Sequence, residues 1–95
     1  MNAVPEDMQS LPGADLIASG LTDLSAGRET TEALLVSIGA PRLRSLGYEV
    51  RSPFDSPEHR LYLRLARDKG NGAHSAYNAL IRRLVSFERA AQCAT

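Results

Sequence analysis

The amino-acid sequence predicts an all-α protein, a small bundle of four main helices plus a short helical turn, preceded by a flexible N-terminal arm. The first observation behind this fold class is composition. With three Tyr, two Phe and no Trp among 95 residues, the core must be built mainly from Leu, Ile, Val and Ala, which pack helices well. The second is that apolar residues recur at helical spacing in segments separated by Gly and Pro. The length suits one domain, over residues 14–92.

The N-terminal region is predicted to be an arm over residues 1–13 because its prolines and polar residues offer little apolar surface to bury. From residue 15 the pattern changes to that of a short helix, which Gly27 ends. Gly20 lies on its apolar face, where a glycine predicts a close helix crossing. The other residues of that face are Leu16, Ile17, Leu21 and Leu24.

The second helix is predicted to begin after Thr30, whose side chain suits an N-cap, and to continue as a stripe of leucine and isoleucine to residue 38. Pro41 suits the first turn of a new helix and not the interior of an old one. We therefore expect a break at Gly39 and Ala40, followed by a short turn over residues 41–46 that ends at Gly47.

A linker with two prolines follows, in which Val50 and Phe54 are expected to pack back against the bundle. The next segment, RLYLRLAR over residues 60–67, is ambiguous because its leucines alternate as in a strand yet also share a helical face. The start signal favours a helix, with Ser56 as the cap, Pro57 at the first helical position and Glu58 near the positive end of the helix dipole.

The last helix is predicted to begin at Asn71 or Gly72. Its apolar residues recur at spacings of 3 and 4, which indicates a packing seam. The seam serves either pairing with a second copy or packing against the other helices of the chain. Its members are Tyr77, Leu80, Leu84 and Phe87.

Two adjacent arginines on this helix are expected to differ. Arg82 falls on the exposed side with Asn78 and Arg89, which makes these three candidates for binding an anion or a partner. Arg83 falls beside the seam, where it is expected to reach an acidic residue of the first half of the chain, namely Asp15, Asp23 or Glu32.

Charge is balanced overall but divided unevenly. Residues 1–40 carry six acidic side chains and one basic one, a net charge of −5, whereas residues 41–95 carry ten basic and five acidic ones, a net charge of +5. Such a division predicts either that the two halves pair with each other, which we favour, or that one of them faces a charged partner.

No motif in the sequence predicts catalysis. His59 and His74 lack the companions of a metal or nucleophile site, so neither metal nor cofactor is expected. The loop at residues 69–75, with Lys69 and His74, is the nearest approach to an anion site, because glycines before a helix expose backbone N–H groups. A plain helix connector explains the same residues.

The expected function is therefore that of a non-catalytic interaction or assembly module that binds a protein partner or itself. The absence of any long apolar run excludes a membrane span, and a lone cysteine, Cys93, agrees with a cytoplasmic location. Nucleic-acid binding is the alternative, disfavoured by the zero net charge. It would need an arginine-rich face to form from Arg42, Arg44, Arg60, Arg64, Arg67, Arg82, Arg83 and Arg89.

Overall fold

The computed structural model of the protein describes residues 9–94, and this part of the chain is helical with no strand. Four main helices and one short one form the bundle, which confirms the predicted fold class. The ambiguous segment at residues 60–67 is helical. In chain order the helices are α1 (Ala14–Ser25), α2 (Thr31–Ile38), the short α3 (Ala40–Ser45), α4 (Pro57–Lys69) and α5 (Ala73–Ala94), with a 3₁₀ turn at Gly70–Gly72 between the last two.

Most of the predicted arm, residues 1–8, lies outside the described residues. Residues 9–13 form turns, in which Leu11 packs against the core and Gly13 is buried. Gly13 has a φ of 79°, and a methyl group there would lie 2.9 Å from the carbonyl oxygen of Arg83. A glycine is therefore needed where the chain enters α1 against α5.

Gly20 marks the predicted close crossing, which lies between α1 and α2. A side chain at this position would collide with the carbonyl oxygen of Glu32 and with a methyl group of Val36. The crossing brings Ile17 and Leu21 of α1 into the core.

Helix α2 is the centre of the bundle and packs against the other four helices. Its residues Ala33–Val36 have no exposed surface. The predicted cap is present, since Thr30 accepts a hydrogen bond of 3.1 Å from the backbone N–H of Ala33. Because α2 is surrounded, four consecutive positions of it are apolar and buried, and it lacks the clear periodicity of a surface helix.

The predicted break falls at Gly39, between α2 and α3, and Pro41 occupies the first turn of α3. Beyond α3 the linker packs back onto the bundle, as expected for Val50 and Phe54. The hydroxyl of Ser37 holds it by accepting a hydrogen bond of 3.1 Å from the backbone N–H of Phe54. The sequence did not single out Tyr48, which is buried and packs against Phe87, with the ring centroids 5.8 Å apart and the rings tilted by 51°.

Two predicted helix starts need correction. Ser56 precedes α4 in the left-handed region, with a φ of 47°, and its side chain makes no capping hydrogen bond. The start of α4 therefore rests on Pro57 and Glu58. Helix α5 begins at Ala73 and not at Asn71 or Gly72, because those glycine-rich residues complete the tighter 3₁₀ turn that reverses the chain between α4 and α5.

Candidate protein-interaction groove

The seam on α5 is divided by the packing of the bundle. Leu84 and Phe87 are buried in the intramolecular core, at 3% and 0% exposure, whereas Tyr77 and Leu80 are half-buried at its edge. The seam was predicted either to pair with a second copy or to pack within the chain, and Leu84 and Phe87 pack within the chain. They are not accessible for pairing with a second copy.

Arg82 and Arg83 are both exposed, but they differ in their contacts. Arg83 donates a hydrogen bond of 3.3 Å to Asp15, one of the three carboxylates expected for it. The pair lies at the surface, with 49% of the Arg83 side chain and 78% of the Asp15 side chain exposed. Within residues 9–94, Arg82 makes no hydrogen bond or ion pair.

The predicted anion- or partner-binding residues do not converge on one site. Asn78, Arg82 and Arg89 are exposed along one side of α5, where Asn78 lies 3.2 Å from a ring nitrogen of His74. Lys69 is at the other side of the helix hairpin, at the end of α4. The loop at residues 69–75 therefore forms a helix connector, and its Lys69 belongs to a different surface from Arg82.

Opposite charges from the two halves of the chain meet in the fold. Arg60 of α4 pairs with Glu29 at 2.9 Å, in addition to the contact between Arg83 and Asp15. Arg64 reaches the same region, where it donates to the hydroxyl of Thr31 at 3.2 Å. These contacts support the favoured interpretation, that the uneven charge division serves internal pairing.

These and other internal contacts occupy several of the arginines that a nucleic-acid-binding face would require. Arg42 donates to Gln92 at 2.6 Å, and Arg44 donates to the backbone carbonyl of Val50 at 2.6 Å. In the part of the chain that is described, Arg67, Arg82 and Arg89 remain without a side-chain partner. Three arginines on two helices are a small footprint for a polyanion.

An open groove of about 410 Å³ runs between α4 and α5 and extends to the start of α2. Its floor consists of short or branched apolar side chains, and its rim carries charges of both signs. The floor residues are Leu65, Ala76, Ala79 and Leu80, and the rim residues are Thr31, Asp68, Lys69 and Arg83.

The shape of the groove suits an elongated apolar occupant. Ala76 and Ala79 lie on the same side of α5 because they are three residues apart, and their short side chains lower the floor. From Ala76 to Arg83 the groove follows seven residues of α5, or about 10 Å at the rise of an α-helix. Sequence reasoning missed this site because it depends on which side of α5 is left uncovered by α4.

Away from the groove, a buried ionisable side chain lies where α5 meets the junction of α2 and α3. Glu88 of α5 is only 8% exposed, and its carboxylate lies close to Gly39. Burial raises the pKa of Glu88, and the nearby positive charge of Arg42 partly offsets this effect. The site is closely packed and presents no open surface, so we assign it to the fold and not to a ligand.

Comparison with protein families, with characterised proteins and with solved structures found no match to this chain. No helix in the described part of the chain has the length and apolar composition needed to cross a bilayer. The groove is therefore interpreted from its own residues alone.

Proposed function

We propose that this protein is a small, non-catalytic, cytoplasmic interaction module that binds one helix of a protein partner in the groove between α4 and α5. The observation that carries the proposal is the groove itself, an apolar floor between two helices with a charged rim. Amphipathic helices bind such grooves by placing apolar side chains, spaced three and four residues apart, into the floor.

The dimensions support a helix as the occupant. A floor about 10 Å long accommodates two turns of an α-helix, which present three or four apolar side chains. The small side chains of Ala76 and Ala79 allow the axis of the docked helix to approach closely, because the distance between packed helices depends on the residues at the contact.

A separate protein suits the groove better than a second copy of this chain. Within residues 9–94 the exposed large apolar side chains are Tyr62 and Leu63, and Leu84 and Phe87 are already in the core. The described helices, α1 to α5, therefore offer no long apolar ridge for the groove of another copy. We propose a protein partner as the occupant and keep self-association as the alternative that the experiment must address.

The experiment uses a fluorescent peptide of about 14 residues, enough for four helical turns, made of Leu at helical spacing with Ala and Gln elsewhere. Fluorescence anisotropy measures its affinity for the intact protein. Ala79→Trp fills the groove and should weaken binding about tenfold or more, the effect of losing about 1.4 kcal/mol of contact.

Asn78→Trp is the matched control, since Asn78 is exposed on the opposite side of the same helix and is not part of the groove. It should bind the peptide like the wild type. Equal binding by the Ala79→Trp protein would show that the peptide binds elsewhere, and would overturn the proposed site. Sedimentation of wild type and Ala79→Trp tests self-association: a dimer that dissociates only in Ala79→Trp would identify a second copy as the occupant.

A further inference from the structure

We propose that the partner helix is acidic, with two carboxylates about two turns apart that meet Lys69 at one end of the groove and Arg83 at the other. This inference rests on the proposed function and specifies the chemistry of the partner. It follows from the positions of the two cations and from the contacts that they make in the free protein.

Arg83 lines the groove and already pairs with a carboxylate of α1, although that carboxylate does not itself line the groove. It contacts one oxygen of Asp15 through a single terminal nitrogen at 3.3 Å, which is long for a charge-assisted hydrogen bond. A guanidinium has five N–H donors, so most of the donors of Arg83 stay available. Because both side chains are exposed, a carboxylate from a partner can join or replace Asp15 at little cost.

Lys69 lies at the opposite end, where α4 gives way to the 3₁₀ turn before α5. It is exposed and lines the groove, and within residues 9–94 it makes no ion pair. Its ammonium group is thus a cation at the edge of the apolar groove that no carboxylate of the described residues pairs with.

The separation of the cations sets the spacing of the partner's carboxylates. Ala76 marks the Lys69 end of the floor and Arg83 the other, about 10 Å apart along α5, which corresponds to seven residues of a docked helix. Acidic side chains at positions i and i+7 lie on the same face and have room for apolar residues between them.

Asp68 adds a negative charge to the same rim, and we found no ion pair for it within residues 9–94. Because Asp68 is the neighbour of Lys69, it should weaken the attraction of a partner carboxylate at that end of the groove and favour a neutral or basic residue beside it. The rim therefore discriminates between orientations of the docked helix as well as between charge patterns, which is the usual role of charges around an apolar contact.

The test compares three peptides with the same apolar residues and Gln, Glu or Lys at two positions seven residues apart. Anisotropy with the wild-type protein should give the highest affinity for the Glu peptide and the lowest for the Lys peptide. The advantage of Glu over Gln should be about two- to fivefold for each cation, as for an exposed ion pair, and should decrease with added salt.

Variants of the protein assign this preference to the two cations. Arg83→Gln and Lys69→Gln should each reduce the ratio of the affinity for the Glu peptide to the affinity for the Gln peptide. Arg82→Gln is the matched control, because Arg82 has the same charge one position away and does not line the groove. Asp15→Asn should increase the affinity for the Glu peptide, since it releases Arg83 from its internal carboxylate.

The outcomes separate the inference from the proposed function. Equal affinities for the Glu, Gln and Lys peptides, all abolished by Ala79→Trp, would overturn the acidic partner but support the groove. A preference for Glu that survives Arg83→Gln and Lys69→Gln, or that disappears in Arg82→Gln, would also overturn the inference. Binding of none of the peptides would overturn both proposals.

Discussion

At the residue scale, Arg82 and Arg83 show how one step along a helix changes the role of the same side chain. A step of one residue rotates the side chain by about 100° around the helix axis. Arg83 is thereby directed to Asp15 and the groove, whereas Arg82 is directed to solvent on the side of Asn78.

Replacing these arginines should have small effects on stability. Arg82→Ala should change the free energy of unfolding by less than about 0.5 kcal/mol, as at ordinary surface positions. Arg83→Ala should cost no more than about 1 kcal/mol, because its ion pair with Asp15 is exposed. Urea unfolding of both variants measures the difference. A loss of several kcal/mol from either replacement would contradict the exposed positions described above.

Glu88 should make stability depend on pH. Because burial raises its pKa in the folded state, the folded protein retains a proton at pH values where the unfolded chain has lost it. The free energy of unfolding should therefore fall as pH rises from the ordinary glutamate range through the raised pKa. Below that range Glu88 is protonated in both the folded and the unfolded state, so its titration no longer changes the free energy of unfolding.

Glu88→Gln removes this titration and should remove its part of the pH dependence. Relative to the wild type, the variant should become more stable as pH rises through the same window. Urea unfolding of both proteins between about pH 4 and pH 7 measures the change, a range that begins near the ordinary pKa of glutamate. Parallel stability curves for the two proteins would mean that Glu88 titrates alike in the folded and unfolded states.

At the element scale, the crossing of α1 over α2 depends on Gly20. Gly20→Ala would improve the intrinsic helix propensity of α1 by about 1 kcal/mol, but its methyl group would collide with the backbone of α2 at Glu32. The backbone cannot move aside as the end of a side chain can, so the collision should outweigh the gain in helix propensity. The free energy of unfolding should fall by about 1–3 kcal/mol.

Gly72→Ala is the control for this prediction. An added methyl group there meets only the Cβ atom of Lys69, at 3.8 Å, an ordinary contact. Thermal unfolding should show a lower Tm for Gly20→Ala and a nearly unchanged Tm for Gly72→Ala. A Gly20→Ala protein as stable as the wild type would show that α1 and α2 can separate without loss.

The helices also show which features local sequence determines. Thr30, Pro41 and Gly20 act through residues within a turn or through one neighbouring helix, and their predicted roles are confirmed. The start of α5 was predicted one or two residues early because Gly70–Gly72 form a 3₁₀ turn directly before it. The groove could not be located and the partner of Arg83 could be narrowed only to three carboxylates, since both depend on the rotation of α5 relative to α1 and α4.

At the scale of the whole molecule, the acidic first half and the basic second half of the chain form ion pairs with each other at the surface. The net charges of −5 and +5 are joined by the contacts of Arg60 with Glu29 and of Arg83 with Asp15. These exposed pairs each add little stability, and burial of the apolar core supplies most of the free energy of unfolding. The free energy of unfolding should therefore decrease by no more than about 1 kcal/mol between low and high concentrations of NaCl, as measured by urea unfolding.

The central position of α2 has a consequence for how the chain opens. A helix covered by the other four cannot expose its backbone unless its neighbours move away, so fluctuations confined to α4 or to the end of α5 leave it closed. The amide protons of Ala33–Val36 should accordingly exchange with deuterated solvent only through global unfolding, with protection equal to the full stability of the protein. Those of the last turn of α5 should exchange orders of magnitude faster, since residues 92–94 are exposed.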